Sequence, residues 1–327
     1  MDRRTVLAAF SLVVLAAAGV LGPVPAGAQQ LKSDVRFLNG FPPGGTSDLL
    51  GRLMAEAIGP VVGQKVIVEQ RTGASGFIAA EACARSAPDG HTIFLAPMGV
   101  MSVAPVMPGQ KLTIDVDRDL TPISNLAGVY NILVAGQSAP FKTIPELIDY
   151  AKKNPGKLTY ASSGNGTSQH LSGELFKKLA GVDILHVPYR GGAPAILDMV
   201  GGRTTMMFGN MPEFLGQIRG GGLRPVAFGA VRPSPLFPDL PLISATLPEF
   251  KISNWFGVVG PAGQSAEWTA FWNRAIAAVT RQPKFIQLMT DNGMEILAGT
   301  PEEFKATILA DRRIWADVIQ AAKIRVD

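Results

Sequence analysis

Residues 160–170, which read YASSGNGTSQH, decide the fold. A short β-prone run, residues 157–160, leads into this segment, and apolar residues follow it at helical spacing: Leu171, Leu175, Phe176 and Leu179. This order predicts a strand, a glycine-rich loop and a helix. The first N–H groups of a helix lack partners within the helix and lie at the positive end of its dipole. The loop is therefore suited to hold an anion.

A second segment with the same order lies nearer the start of the chain. Residues 35–41 (VRFLNGF) predict a strand and residues 42–48 (PPGGTSD) predict a loop. The apolar face of the helix that follows consists of Leu49, Leu50, Leu53, Met54 and Ile58. Two such segments in one chain indicate that one ligand is held from two sides.

Neither loop contains a lysine or an arginine. Phosphate esters usually recruit such a cation, whereas a carboxylate can be held by N–H groups, hydroxyls and water. A carboxylate ligand is therefore favoured. Asp48 would repel an anion if it faced the ligand, but its place in the first helical turn favours a capping or dipole role.

Strand and helix patterns alternate along the rest of the chain and predict parallel sheets flanked by helices. Further strands are expected at residues 65–69, 92–96, 131–135, 184–187, 204–208, 223–228 and 255–261. The chain after residue 261 is expected to be helical. Its last helix should begin with Thr300 and Glu303 as a capping pair. Its core-facing stripe should consist of Phe304, Ile308, Trp315 and Ile319.

The N-terminal residues have the pattern of an export signal. Arg3 and Arg4 precede an almost wholly apolar run, residues 5–24, and small residues at 26–28. We expect cleavage after Ala28 and a periplasmic location. General or twin-arginine export, and a retained anchor, stay open.

Composition and motifs disfavour several classes of function. The net charge of +4 is not concentrated in basic runs with aromatic residues, so no nucleic-acid partner is expected. The only cysteine, Cys83, lies on a small-residue helix face and should be buried and unreactive. His91, His170 and His186 lack the spacing of metal ligands, and no nucleotide-binding glycine pattern is complete. We therefore expect neither a metal nor a cofactor.

Catalysis by a serine nucleophile is not favoured, because the Gly-x-Ser-x-Gly motif is absent. Ser162 or Ser163 paired with His170 stays open as the basis of a periplasmic hydrolase.

Motifs in a fixed order resemble one family. They are FPPGGTSD at residues 41–48, VEQRTGASG at 68–76, PDGHT at 88–92, SSGNGT at 162–167 with His170, and VPYRGGAP at 187–194. The chain resembles the extracytoplasmic solute receptors of tripartite tricarboxylate transporters, the TctC-like or Bug (Bordetella uptake gene) family. The resemblance covers nearly the whole chain after residue 28.

The resemblance implies an α/β fold of the type II periplasmic binding protein kind. Two lobes, each with a mainly parallel sheet flanked by helices, would enclose the ligand cleft. Lobe I would comprise residues 29–134 and 253–327, and lobe II residues 135–252, with hinge crossings near 130–136 and 248–256. The receptor would be a monomer that closes on a small carboxylate and delivers it to membrane subunits without catalysis.

The resemblance also implies the ligand-binding residues. By position they are Phe41, Gly44, Gly45, Thr46, Ser47, Ala74, Ser75, Met98, Ser162, Ser163, Gly164, Asn165, Gly166, Thr167, His170, Tyr189 and Asn210. The ligand would be a di- or tricarboxylate, or an aromatic acid. Many relatives carry an aspartate where this chain has Gly209, which argues against amino-acid ligands. A role as the ligand-sensing partner of a signalling protein stays open.

Overall fold

The computed structural model describes residues 29–322 and 324–325. The predicted export signal, residues 1–28, lies outside the described residues. Within them the strands are β1 (Val35–Asn39), β2 (Val66–Gln70), β3 (Thr92–Pro97), β4 (Leu120–Val129), β5 (Asn131–Gly136), β6 (Thr159–Ser162), β7 (Leu185–Pro188), β8 (Met206–Asn210), β9 (Leu223–Phe228), β10 (Trp255–Pro261) and β11 (Met294–Ile296).

The α-helices of the same part of the chain are α1 (Thr46–Val62), α2 (Phe77–Ala84), α3 (Val116–Asp119), α4 (Ile144–Lys153), α5 (Ser168–Ala180), α6 (Gly192–Val200), α7 (Met211–Arg219), α8 (Ala266–Thr280), α9 (Pro283–Asp291) and α10 (Pro301–Ala322). A single turn at Ala74–Gly76 and a π-helical turn at Gly99–Val103 adjoin the site described below. None of the described helices has the length and apolar character that a membrane crossing requires.

The strands of the described residues form two sheets. One has the order β11-β4-β10-β3-β1-β2 and the other β7-β6-β8-β5-β9. We call the parts built on them lobe I and lobe II. The predicted two-lobed α/β fold is thereby confirmed. Both sheets are mixed instead of mainly parallel as expected, because parallel pairing is confined to β1 with β2 and β3 and to β6 with β7 and β8, whose connections contain helices.

Two strands of lobe I were not predicted. The sequence of β4 contains Pro122, Asn125 and Gly128, which disfavour a strand on propensity alone. Tertiary pairing with β10 and β11 overrides this, and the register shifts at Val259, opposite Pro122. The expectation that the chain after residue 261 is wholly helical is corrected by β11, a three-residue strand paired with β4.

The chain passes between the sheets at two places. Tyr130 alone separates β4 of lobe I from β5 of lobe II, and residues 229–254 connect β9 back to β10. All of β5 pairs within the second sheet, so the chain leaves the first sheet and enters the second at Tyr130. The predicted lobe boundary between residues 134 and 135 instead falls inside β5.

The last helix packs against both lobes. Thr300 and Glu303 form the predicted capping box, with distances of 2.8 and 3.1 Å, and the predicted apolar stripe of α10 is at most 3% exposed. Both predictions are confirmed. The same apolar cluster includes Phe176 of α5 in lobe II. It also includes Cys83, whose expected burial is confirmed and whose thiol pKa is raised by that burial.

Candidate functional site

The two strand–loop–helix segments face each other across a cleft. The first loop, residues 40–45, joins β1 to α1 in lobe I, and the second loop, residues 163–167, joins β6 to α5 in lobe II. The cleft contains about 530 Å³ of free space including its mouth. Its lining residues are Phe41, Pro42, Gly45, Thr46, Ser47, Ser75, Pro97, Gly99, Ser163, Thr167, Ser168, Gly192, Asn210, Glu213, Asn254 and Phe256.

An acidic side chain holds the first loop from behind. The Gly44 N–H donates to Asp48 Oδ2 at 3.1 Å, while Arg52 Nε and Gln70 Nε2 donate to Asp48 Oδ1 at 2.9 and 2.8 Å. Gly44 has φ +91°, a conformation that favours glycine. Asp48 therefore stabilises its own loop, and Thr46 and Ser47 line the cleft.

Uncharged groups hold the second loop. Thr167 Oγ1 donates to the Gly164 carbonyl at 2.7 Å, and the Gly166 N–H donates to His170 Nδ1 at 3.2 Å. The Ser163 N–H donates to Gln169 Oε1. Gly164 has φ +132°, so a side chain at this position would be strained. The start of α5 thus organises the loop that precedes it.

Two histidines whose rings touch at an angle of 31° lie behind the second loop. Their ring centroids are 4.5 Å apart, and His186 Nε2 lies 2.7 Å from Ser162 Oγ. Burial lowers the pKa of His170. Burial, together with the neighbouring His170, lowers the pKa of His186 to about 3. Both rings are therefore neutral near pH 7.

The loops of the two lobes touch each other. Ser75 Oγ of lobe I donates to the Asn165 carbonyl of lobe II at 2.7 Å, and Thr46 Oγ1 donates to Glu213 Oε1 at 2.9 Å. Ser75 has φ +52°, which is uncommon for a residue other than glycine and carries backbone strain. The strained turn brings its hydroxyl to the opposite lobe.

Glu213 is the acidic residue of the cleft lining, and the sequence reasoning missed it. It lies in the first turn of α7 and accepts hydrogen bonds from Thr46, Gln169 and Asn210. Burial raises the pKa of its carboxyl group, although these donors act in the opposite direction. The only signal in the sequence was an acid after Pro212, which equally fits a helix start.

An outer chamber adjoins the cleft. It is lined by Gly40, Phe41, Pro42, Thr72, Gly73, Ala74, Ser75, Ser163, Gly164, Tyr189, Arg190 and Gly191. Phe41, Ser75 and Ser163 line both spaces. Arg190 is therefore placed at the outer chamber, while the cleft lining itself includes no lysine or arginine.

The structure brings most of the predicted ligand-binding residues together. Those that line the cleft are Phe41, Gly45, Thr46, Ser47, Ser75, Ser163, Thr167 and Asn210, and those that line the outer chamber without the cleft are Ala74, Gly164 and Tyr189. Gly44, Asn165 and Gly166 form the hydrogen bonds described above. Ligand contact by any of these residues stays a prediction.

Gly44, Asn165 and Gly166 are not among the lining residues of either space, and three further predicted residues, Met98, Ser162 and His170, also lie away from both. Met98 is fully buried, and its Sδ accepts a hydrogen bond from Trp315 Nε1 at 3.1 Å, so it packs in the core instead. Ser162 is fully buried beside His186, and His170 supports the second loop from behind. Lining residues that the sequence reasoning missed are Pro42, Pro97, Gly99, Ser168, Gly192, Glu213, Asn254 and Phe256.

The histidines are not arranged for serine hydrolysis. His170 Nδ1 accepts from the Gly166 N–H, and the serine bonded to a histidine is Ser162, which is fully buried. A nucleophile must reach the substrate, and a buried hydroxyl does not. In the described part of the chain, no group of three His, Cys, Asp or Glu side chains is placed to hold a metal ion.

Comparison with known proteins agrees with this geometry. A profile of the tripartite tricarboxylate transporter family receptor, TctC, matches residues 50–324. The chain belongs to this family. Protein BugT of Bordetella pertussis is 32% identical to it over 326 residues, which is 98% of each chain. The TctC family consists of solute receptors, not enzymes.

Solved structures of similar proteins contain small carboxylates. The structure of Rpa4515 from R. palustris with adipate has a TM-score of 0.87 and 31% identity, covering 90% of this TctC-family chain and 98% of that one. MatC from Rhodopseudomonas palustris with bound malate has a TM-score of 0.83 and 28% identity, covering 88% and 99%.

Proposed function

We propose that this protein is a periplasmic receptor that captures a small carboxylate by closing its two lobes and delivers it to the membrane subunits of a tripartite transporter. One observation carries the proposal: the starts of α1 and α5, one in each lobe, face the same cleft without a lysine or arginine in its lining. The protein would act as a monomer.

The chemistry of the cleft suits a carboxylate. Thr46 and Ser47 begin α1, and Thr167 and Ser168 lie at the start of α5, so hydroxyls and first-turn N–H groups come from both sides. Helix starts favour negative charge, and neutral donors can satisfy the two oxygens of a carboxylate. A phosphate would usually require an additional cation.

The ligands of similar proteins support a dicarboxylate as the first choice. Rpa4515 is described with adipate and MatC with malate. Tricarboxylates and aromatic acids belong in the same test panel, because the outer chamber extends the cleft beyond one carboxylate.

Closure would shift a population between open and closed forms. The loops contact each other across the lobes, and the two connections between the sheets lie at Tyr130 and at residues 229–254. We propose that the hinge lies at these two connections. Apart from this shift of the boundary, we propose lobe I as residues 29–134 with 253–327 and lobe II as residues 135–252. A ligand that binds both loops favours the closed form, which the membrane subunits would recognise.

A thermal-shift assay tests the receptor function. We expect the melting temperature to rise with at least one mono-, di-, tri- or aromatic carboxylate, since ligand at 100 times Kd stabilises by about 2.7 kcal/mol. Thr167→Ala should weaken this shift. The matched control is Thr143→Ala, which removes the N-cap hydroxyl of α4, away from the cleft lining. No shift with any carboxylate would refute the proposal.

Transport and export need separate measurements. N-terminal sequencing of the exported protein should begin at Gln29, and deleting the membrane subunits should abolish uptake of the bound carboxylate. Native mass spectrometry of the protein as purified would identify a retained ligand. Uptake that persists without those subunits would contradict the delivery role.

A further inference from the structure

Glu213 caps the start of a helix in the opposite lobe. Its Oε1 accepts from Thr46 Oγ1 at 2.9 Å, and the backbone N–H of Thr46 also bonds to its carboxyl group. Thr46 is the first residue of α1, and the preceding Gly45 has no side chain that could cap this helix. The first N–H groups of a helix lack partners and favour negative charge. The Glu213 carboxylate, from α7 in lobe II, therefore takes the place of a capping anion on α1 in lobe I.

This contact differs from the usual role of an acid in the first turn of a helix. Glu146 has the same position in α4 as Glu213 has in α7, because each is the third residue of its helix and directly follows a proline. Glu146 Oε2 accepts from the backbone N–H of Lys142, so it stabilises the start of its own helix. The backbone donor to Glu213 is instead Thr46, 167 positions away in the chain.

Lobe II supplies two further donors to Glu213. Asn210 Nδ2 donates to Oε1 at 3.2 Å, and Gln169 Nε2 donates to Oε2 at 3.0 Å. The Gln169 amide has this orientation because the Ser163 N–H donates to its Oε1, and a backbone N–H can only donate. Together with the two groups of Thr46, these donors fill the roughly four acceptor positions of an ionised carboxylate.

The two sets of donors respond differently when the lobes separate. Asn210 and Gln169 belong to lobe II, as Glu213 does, so their hydrogen bonds to it can persist. The hydrogen bonds from Thr46 cross between the lobes and must break. Opening therefore releases the N–H and the hydroxyl of Thr46, which line the cleft at the start of α1. In the proposed receptor these same donors would hold the carboxylate of the ligand.

We propose that Glu213 is a built-in competitor of the ligand: in the ligand-free protein its carboxylate occupies the start of α1, and the carboxylate of the ligand must displace it. This inference rests on the proposed receptor function and names a contact that sets its affinity. Only molecules in which Thr46 is released can bind, so the apparent Kd is raised in proportion as that fraction is small. The competitor also helps to hold the two lobes together while no ligand is bound.

Two measurements on the purified protein test the inference. Calorimetric titrations at pH 7.5 with succinate, glutarate, adipate, citrate and benzoate measure affinity. Hydrogen exchange followed by NMR measures the protection of the Thr46 amide without these acids. Glu213→Gln keeps the size of the side chain and removes its charge, and Glu213→Ser is a second variant in case the first does not fold. The matched control is Glu146→Gln, because Glu146 supports its own helix.

We expect both Glu213 variants to bind the acid that the unmodified protein binds best about tenfold more tightly, which is the size of one hydrogen bond to a charged group. Binding that is detectable in these variants alone would support the inference as well. Without the acids, the Thr46 amide should exchange about tenfold faster in the variants, because the same hydrogen bond protects it. Glu146→Gln should change neither quantity.

Two results would overturn the inference alone. One is equal or weaker binding of the acids by both Glu213 variants, since Glu213 would then not compete with the ligand. The other is exchange of the Thr46 amide that is as fast in the unmodified protein as in the variants, since Glu213 would then not occupy the start of α1. In both cases binding by the unmodified protein would leave the receptor function standing. Binding of none of these acids by any of the proteins would reject the receptor function, and the competitor with it.

Discussion

The two loops of the cleft resemble each other in sequence order but differ in what supports them. The first loop depends on an ionic group, because Asp48 accepts from the Gly44 N–H and from Arg52. The second depends on neutral groups, because Gln169 and His170 accept from the backbone N–H groups of Ser163 and Gly166. Loops with the same order of elements can therefore respond differently to pH and to charge.

The location of each support explains the difference. The Arg52 side chain is 58% exposed, so it remains hydrated while it pairs with Asp48. The rings of His170 and His186 lie in contact beneath the second loop, where burial disfavours their charged forms. A loop support with a solvent-exposed partner can therefore be an ion pair, whereas a support among buried rings needs neutral acceptors.

The largest expected effect is the response of the second loop to acid. In the folded protein the pKa of His186 is about 3, so the ring is neutral above that pH. In the unfolded chain the same ring has its ordinary pKa of 6.5 and takes up a proton below that pH. The free energy of unfolding should therefore fall between pH 6.5 and pH 3, by about 2 kcal/mol at pH 4.5 after allowance for the partial exposure of the ring. Chemical denaturation at several pH values measures this.

Two variants isolate this effect from other titrations. His186→Gln should reduce the pH dependence of unfolding between pH 6.5 and pH 4.5, because it removes the buried ring. Thr143→Ala, which changes an uncharged side chain at the start of α4 and away from the histidine pair, should leave it unchanged. An identical pH dependence in His186→Gln and the unmodified protein would contradict the assignment.

The next largest effect concerns the first loop. Asp48→Ala leaves the Gly44 N–H and the Gln70 side chain without their acceptor, and should lower the free energy of unfolding by about 1.5 kcal/mol. It should also weaken carboxylate binding, since Thr46 and Ser47 follow this loop. Asp149→Ala, which removes an exposed ion pair with Lys153, should cost less than about 0.5 kcal/mol. Equal losses in the two variants would refute a supporting role for Asp48.

The smallest effect concerns the contact between the lobes. Ser75→Ala removes the hydrogen bond to the Asn165 carbonyl, which should weaken ligand binding about fivefold, or about 1 kcal/mol. The free energy of unfolding should change less, because the contact forms only when the loops meet. Calorimetric titration and small-angle scattering of the ligand-free variant would measure affinity and opening. Unchanged affinity would show that this contact does not contribute to closure.

Much of the site could be predicted because loop chemistry is local. Gly44, Gly164 and Gly166 adopt positive φ, and Thr167 caps α5, so these residues act through their neighbours in the chain. Glu213 and Asn254 could not be predicted in this way. Each reaches the cleft from a distant segment of the chain. For Glu213, an acid that follows a proline is equally typical of an ordinary helix start.

Local periodicity also limits what could be predicted of the fold. Strands β9 and β10 begin and end at the predicted residues. The strand β4 has weak propensity and forms because β10 and β11 supply its hydrogen-bond partners. Met98 follows a strand end like a lining residue, yet the packing of Trp315 places it in the core.

The sequence by itself determined the α/β class, the family and the two helix starts that follow glycine-rich loops, because these depend on spacing and on backbone conformation along a few residues. The tertiary structure decided which acid enters the cleft, which histidines support the second loop and how the lobes touch. Those features depend on side chains that are far apart in the chain, and only folding brings their charges and hydrogen bonds within reach of one another.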